Sequence, residues 1–343
     1  SDSIKSANIS YLDPYYTVDG VSRGFSVFAR ETDYEEEDIS SFLLDEYGGR
    51  VTFGYPTDSI TRLNFGAGVT QSNLKEGLFT SQEVSEFIDE EGDSFTNFFL
   101  FGSWRRSTLN RGVLPTDGYS HSLSLDVAVP GSDLTFYKAT HKTDFYYPVT
   151  DNNRWVFRAR SEIGYGDGYG DRSQMPFYEH FYTGGSGSVR GYEANSLGLR
   201  ATNNVNDLSD PDPFGGNLLT EGGLELIFPT PFAGDTRSMR TAFFLDAGQV
   251  FDTARGFDPA LREIRLAAGV GFHLALTAHN SYRQARDLMR LKMKFQGQVE
   301  RFQALSHQVS KYVAPQIWES IFSGRRQVRL ETQRKKLVVF FSD

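Results

Sequence analysis

The chain has 343 residues, 14% of them aromatic and 33 of them glycine, and a formal net charge of −9. A mean hydropathy of −0.42 and the lack of any apolar run of about eighteen residues exclude a transmembrane helix, though not a membrane-spanning sheet, whose strands are apolar only at alternate positions. Cysteine is absent, which excludes disulfides, thiolate metal sites and cysteine nucleophiles.

Ser1 in place of Met, with no signal peptide after it, points to a mature product or a piece of a longer chain. Period-two alternation then predicts strands at 24–30, 50–56, 61–70, 98–107 and 121–130. Leu63, Phe65, Ala67 and Val69 share one face, as do Leu123, Leu125, Val127 and Val129. Further strands are predicted at 154–166, 223–230, 241–251 and 264–272, with polar Gly, Asp, Asn and Pro turns between. The insertion Ala201 to Asn217 reads as an exposed loop. Short turns on one side and longer acidic loops on the other suit an outer-membrane barrel, while a soluble β-protein stays open on pattern alone.

The stretch FYTGGSGSVRGYEANSLGLR, Phe181 to Arg200, places one internal arginine, Arg190, in a glycine-rich loop. It lacks the Lys-Ser/Thr of a phosphate-binding loop and the spacing of a dinucleotide fingerprint. Asp167 and Asp171 fall in GDGYGD, too sparse an oxygen ladder for a calcium loop, and turn chemistry explains them. The six histidines form no metal-binding spacing, and no serine stands in a G-x-S-x-G elbow. No metal or cofactor site and no catalytic residue is predicted, so the chain reads as a non-enzyme.

Composition changes near His273. From Leu274 onward, thirteen Lys and Arg stand against five Asp and Glu, net +8, whereas residues 1–273 carry 22 against 39, net −17, and all but two of the glycines. Two domains are therefore expected, 1–273 and 274–343. In the second, Leu288, Phe295, Phe302 and Val309 recur every seven residues, with Leu291, Gln298, Leu305 and Tyr312 as a companion seam. That pattern predicts a coiled coil or a single amphipathic helix. A second helix over 314–324, closed by Gly324, and a strand ending at Asp343 follow.

Six segments carry a resemblance: DPYYTVDGVSRG (from Asp13), RGVLPTDGYS (from Arg111), VAVPGSDLTFYK (from Val127), GYGDGYGDRSQMPFYEHFYTGGSGSVRGY (from Gly164), LELIFPTPF (from Leu224) and RTAFFLDAGQVFD (from Arg240). In this order they resemble the barrel of the BamA family of outer-membrane protein assembly factors. The resemblance implies an all-β, antiparallel transmembrane barrel, incomplete at about twelve of the family's sixteen strands, followed by a helical tail. It implies a place in the bacterial outer membrane, with outer-membrane lipids, client β-barrel proteins and accessory lipoproteins as partners and no nucleic acid. The family's V-R-G-[FY] motif corresponds to Val189, Arg190, Gly191 and Tyr192. The resemblance further implies that Arg190 folds into the lumen as a latch against Glu225 and Asp246. The family's periplasmic POTRA domains and its first and last strands have no counterpart here, so this piece is expected not to insert clients alone. A secretion or translocation pore of the same superfamily would share V-R-G-[FY]. The tail from Ala278 resembles the linker and first strand of class III adenylate/guanylate cyclases, with Asp343 matching a metal-binding aspartate that lacks its partners. A cyclase-type signalling protein is the reading this tail would favour.

Overall fold

Alternating side chains give an extended strand two chemically different faces, and β-branched and aromatic residues fit the pleat. The computed structural model describes residues 4–34, 41–77, 80–171, 174–204, 210–230, 239–255 and 263–274. The chain runs through β1 (Ile4–Asp13), β2 (Ser22–Asp33), β3 (Phe42–Pro56) and β4 (Thr61–Glu76), a helix α1 (Gln82–Glu91), then β5 (Ser94–Ser107), β6 (Gly118–Ala128), β7 (Phe136–Pro148) and β8 (Val156–Gly168). Two short strands, β9 (Leu199–Arg200) and β10 (Pro213–Gly215), precede β11 (Leu218–Pro229), β12 (Met239–Phe251) and β13 (Arg265–Leu274). The long strands form one eleven-stranded meander in which β8 pairs directly with β11, while β9 and β10 pair with each other. Neighbouring strands are antiparallel throughout. The sheet is open among the described residues, with β1 and β13 as its edges.

Register sorts the side chains into two continuous faces. Leu63 lies opposite Trp104 and Trp104 opposite Leu123, Phe65 opposite Gly102 and Leu125, and Ala67 opposite Leu100 and Val127. Phe65, Leu100, Leu123, Leu125, Phe243, Leu245 and Val270 are exposed on this side. The opposite face carries Arg30, Glu46, Asn97, Asp126, Lys138, Arg158, Glu225 and Asp246 on the alternate positions. A sheet that is apolar outside and charged inside inverts the soluble arrangement and is that of a membrane barrel wall.

All nine strands expected from the sequence lie in these elements, whereas β1, β7, the short β9 and β10, and α1 were not anticipated. In β1 the alternation is weak, because Lys5, Ser6, Asn8 and Ser10 surround its few apolar residues. In β7, His141 and Thr143 interrupt the outer row of Tyr137, Ala139, Phe145 and Tyr147. The ten connections between the long strands alternate between the two ends of the sheet, and the two longest share one end. Turns 14–21, 57–60, 108–117 and 149–155 lie at one end, and the segments with α1 and 169–217 lie at the other.

The long connection between β8 and β11 folds onto the inner face. Met175, Phe177, Tyr178, Phe181 and Phe214 join Phe42, Phe95, Phe136, Leu219 and Val250 in one buried cluster. Phe87 of α1 packs edge-on against Phe95 and Phe177, at centroid distances of 5.7 and 5.1 Å. The expectation of an exposed loop over 201–217 needs correction: Ala201, Phe214 and Asn217 are buried. Phe214 supplies the reason, since its ring stacks on Phe177 and Pro213–Gly215 pairs with β9. The chain divides into compact units Ser1–Ala275 and Leu276–Asp343. The heptad segment, the helix over 314–324 and Asp343 lie outside the described residues.

Candidate functional site

The strand register builds a charged inner patch before any loop arrives. On β8 and β11, Arg158 faces Glu225 and Arg160 faces Gly223. On β11 and β12, Glu225 faces Phe244 and Gly223 faces Asp246. Gly223 has no side chain, so Arg160 reaches across it to within 3.4 Å of Asp246. Arg158 lies 2.6 Å from Asp144 and 3.5 Å from Glu225.

Arg190 enters this patch from the loop. Its Nε donates to Asp246 Oδ2 at 2.6 Å and its Nη2 to Asp246 Oδ1 at 2.8 Å, a two-pronged pairing. The same Nη2 lies 2.7 Å from Glu225 Oε1, and the backbone N–H of Arg190 donates to Asp246 Oδ2 at 3.2 Å. The guanidinium carbon sits 3.8 Å above the Phe244 ring. The Glu225 and Asp246 side chains are 1% and 0% exposed. Burying carboxylates costs several kcal/mol each unless they are paired and hydrogen-bonded, and here three arginines meet three carboxylates counting Asp144. His273 Nε2 lies 3.1 Å from Glu225 Oε2, off the hydrogen-bonding direction.

The backbone around Arg190 is held as tightly as its side chain. Gly191 takes φ +91°, a region that side-chain-bearing residues avoid, and turns the chain directly after Arg190. Val189 is fully buried against Gly248 of β12, where an added Cβ would stand 2.7 Å from a Val189 methyl. Arg160 donates to the carbonyls of Gly187, at 2.7 Å, and Ser188. Gly184 N–H donates to Ser188 Oγ at 2.8 Å, and Thr183 Oγ1 to Glu221 at 2.5 Å. Tyr192 donates its hydroxyl to the Leu266 carbonyl of β13 at 3.3 Å.

Toward the long-loop end, Glu83 of α1 makes a second tether. Its carboxylate accepts from the Thr202 N–H at 2.9 Å and the Thr202 hydroxyl at 2.8 Å, and Arg255 lies 3.2 Å away. His180 is buried nearby with its Nδ1 3.0 Å from the Phe214 carbonyl, and burial pushes its pKa below the ordinary value.

The structure thus brings Arg190, Glu225 and Asp246 into direct contact, with Val189 and Gly191 fixing the approach and Tyr192 bonded further along the wall. Arg158, Arg160, Phe244 and Glu83 escaped sequence reasoning. A signal for the first two existed in FRAR, where two arginines recur at the strand period on the face opposite the apolar row. Asp167 closes a local turn, accepting from Gly168 N–H at 2.9 Å and the Tyr165 hydroxyl at 3.1 Å. The site contains mutually neutralising groups in place of a reactive one, and its chemistry is that of a lock between a loop and a wall.

An apolar outer face, a charged inner face and a loop folded inward define an outer-membrane β-barrel protein. The family model for the Omp85 superfamily domain matches residues 2–278, and the chain belongs to that superfamily. It is 31% identical over 262 residues to the outer membrane protein assembly factor BamA of Neisseria meningitidis, covering 74% of this chain and 32% of the relative. It is 27% identical over 273 residues to the sorting and assembly machinery component 50 homolog A of Xenopus laevis, covering 74% of this chain and 54% of that protein. The crystal structure of BamA from Haemophilus ducreyi lacking POTRA domains 1–3 superposes with a TM-score of 0.71 at 28% identity, covering 79% of this chain and 56% of that one. The chain therefore spans from just under a third to somewhat over half of the length of these relatives.

Proposed function

We propose that this chain supplies the membrane-embedded part of a machine that inserts β-barrel proteins into the bacterial outer membrane. Residues 1–273 form the barrel wall in this reading, and 274–343 form a separate unit of the chain. The observation that carries it is the docking of Arg190 between Glu225 and Asp246 in an Omp85-superfamily chain: Arg190 is a latch that holds the long loop against the wall. Client β-barrel proteins, outer-membrane lipids and accessory lipoproteins are the partners this function requires, and no catalytic step is assigned to the chain. An open secretion conduit fits less well, because the loop's Phe177, Tyr178 and Phe181 are buried against side chains of β3, β5 and β7 on the inner face.

Exchange of residues 2–274 into a full-length bacterial assembly factor tests the proposal. Growth and normal levels of outer-membrane porins after depletion of the resident factor are expected. A chimera that reaches the membrane folded yet leaves porins unassembled would argue against it.

A further inference from the structure

We propose that Arg106, Tyr119 and His121 form a notch for the phosphate of a membrane phospholipid, on the outer face of the sheet at its short-turn end. The inference rests on the reading of that face as lipid-facing and adds a specific lipid contact to it. One step from the apolar row Leu63, Trp104, Leu123 toward the short turns, the register places Thr61, Arg106, His121 and Thr143 side by side. An apolar belt is thus bordered, on the same face, by a cation and hydrogen-bonding groups.

The hydrogen-bond partners of Arg106 are neutral hydroxyls that orient it, and its ion pair with Asp58 is a long one. Its Nε donates to the Tyr119 hydroxyl at 3.2 Å and its Nη1 to Thr61 Oγ1 at 3.3 Å. Asp58, in the adjoining turn, stands at 3.9 Å from Nη1, beyond hydrogen-bonding distance. Nη2 takes part in none of these contacts. His121 is fixed as well: its Nδ1 is 2.9 Å from Thr143 Oγ1, and its ring stacks on His141 at 6.0 Å and 11°. Its ring also packs against that of Tyr119, with the centroids 5.1 Å apart. A guanidinium bonded to a phenol and an imidazole packed on that phenol thus stand together at one place. A phosphodiester has the charge and fork geometry to meet them. Its acyl chains would then lie along Leu123 and Leu125, with Trp104 at the interfacial level where indoles settle.

Trp104 reports on this place directly. The chain has three tryptophans, so the full-length chain carrying Trp155→Phe and Trp318→Phe keeps Trp104 as its only indole. In detergent micelles it is titrated with phosphatidylglycerol or diacylglycerol bearing the same brominated chains. Phosphatidylglycerol is expected to quench at about fivefold lower mole fraction, the factor one basic side chain contributes at a membrane surface. Arg106→Gln should abolish that preference. Arg105→Gln should not, since Arg105 points to the inner face opposite Arg62. Excess inorganic phosphate should leave the quenching in place. Equal quenching by both lipids, a preference that survives Arg106→Gln, or full displacement by inorganic phosphate would overturn the proposal. Quenching by neither lipid would instead show that this face is not in the membrane at all.

Discussion

Replacing Arg190 by alanine removes five interactions at once: two hydrogen bonds to the Asp246 carboxylate, the pairing with Glu225, the stack over Phe244 and the constraint these place on its own backbone N–H. The loss exceeds those bonds, because Asp246 and Glu225 are almost wholly buried and stay behind. Arg160 at 3.4 Å and Arg158 at 3.5 Å remain to balance them, so the deficit is one positive charge among five remaining groups. Breaking a buried pair from one side costs about 3–5 kcal/mol. Since 1.36 kcal/mol is a factor of ten, the loop should open about two to three and a half orders of magnitude more often. Hydrogen exchange at the amides of 183–192, under conditions where exchange reports the opening equilibrium, measures this. The amides of β5 and β6, remote from the patch, should be unaffected. Exchange in the loop within about a factor of three of the parent would refute the reasoning, because the pairing would then contribute nothing to holding the loop.

Gly248→Ala places a methyl 2.7 Å from Val189 and should raise the same opening rates while leaving every charge in place, which hydrogen exchange again reads. Glu83→Gln weakens the tie between α1 and Thr202, made by two donors and Arg255, and should cost about 1–3 kcal/mol locally, seen as faster proteolysis within 80–92. His180 is held uncharged by burial, its folded pKa lying below 6.5. The opened loop therefore takes up the proton first, so loop stability should be constant above pH 6.5 and fall as the pH drops below it, and His180→Gln should flatten that profile in proteolysis between pH 7.5 and 5. Leu125→Arg, on the exposed apolar face, should destabilise the barrel in bilayers by about 2–4 kcal/mol, whereas Ser124→Arg on the inner face should be tolerated, as urea unfolding from liposomes would show.

The parts of this fold legible in the sequence were those in which one local rule sufficed. Alternation in TRLNFGAGVT and HSLSLDVAVP reflects a constraint that acts within each strand, since one face meets lipid wherever the strand sits. The same rule failed for β7 because His141 and Thr143 occupy outer positions, and for β1 because Lys5 stands in its outer row of Ala7, Ile9 and Tyr11 while Ile4 and Leu12 fall in the inner row. The burial of Phe214 was hidden by its neighbours: an acidic, proline-containing stretch looks solvated until the aromatic cluster it caps is assembled from β3, β5 and β7. At the site, Arg190, Glu225 and Asp246 were named through resemblance, and periodicity would not have joined them. Arg160 illustrates why: its importance depends on Gly223 lying between it and Asp246, a relation between three strands that only the register supplies.

The most direct measurement of the central claim is the rate at which an unfolded porin acquires its heat-resistant folded form in liposomes holding a full-length assembly factor whose barrel segment is replaced by residues 2–274. Folding faster than in protein-free liposomes is expected, with a marked loss of that acceleration when Arg190→Ala is introduced into the same chimera. An intact, membrane-inserted chimera that gives no acceleration, or one whose acceleration is indifferent to Arg190, would contradict it.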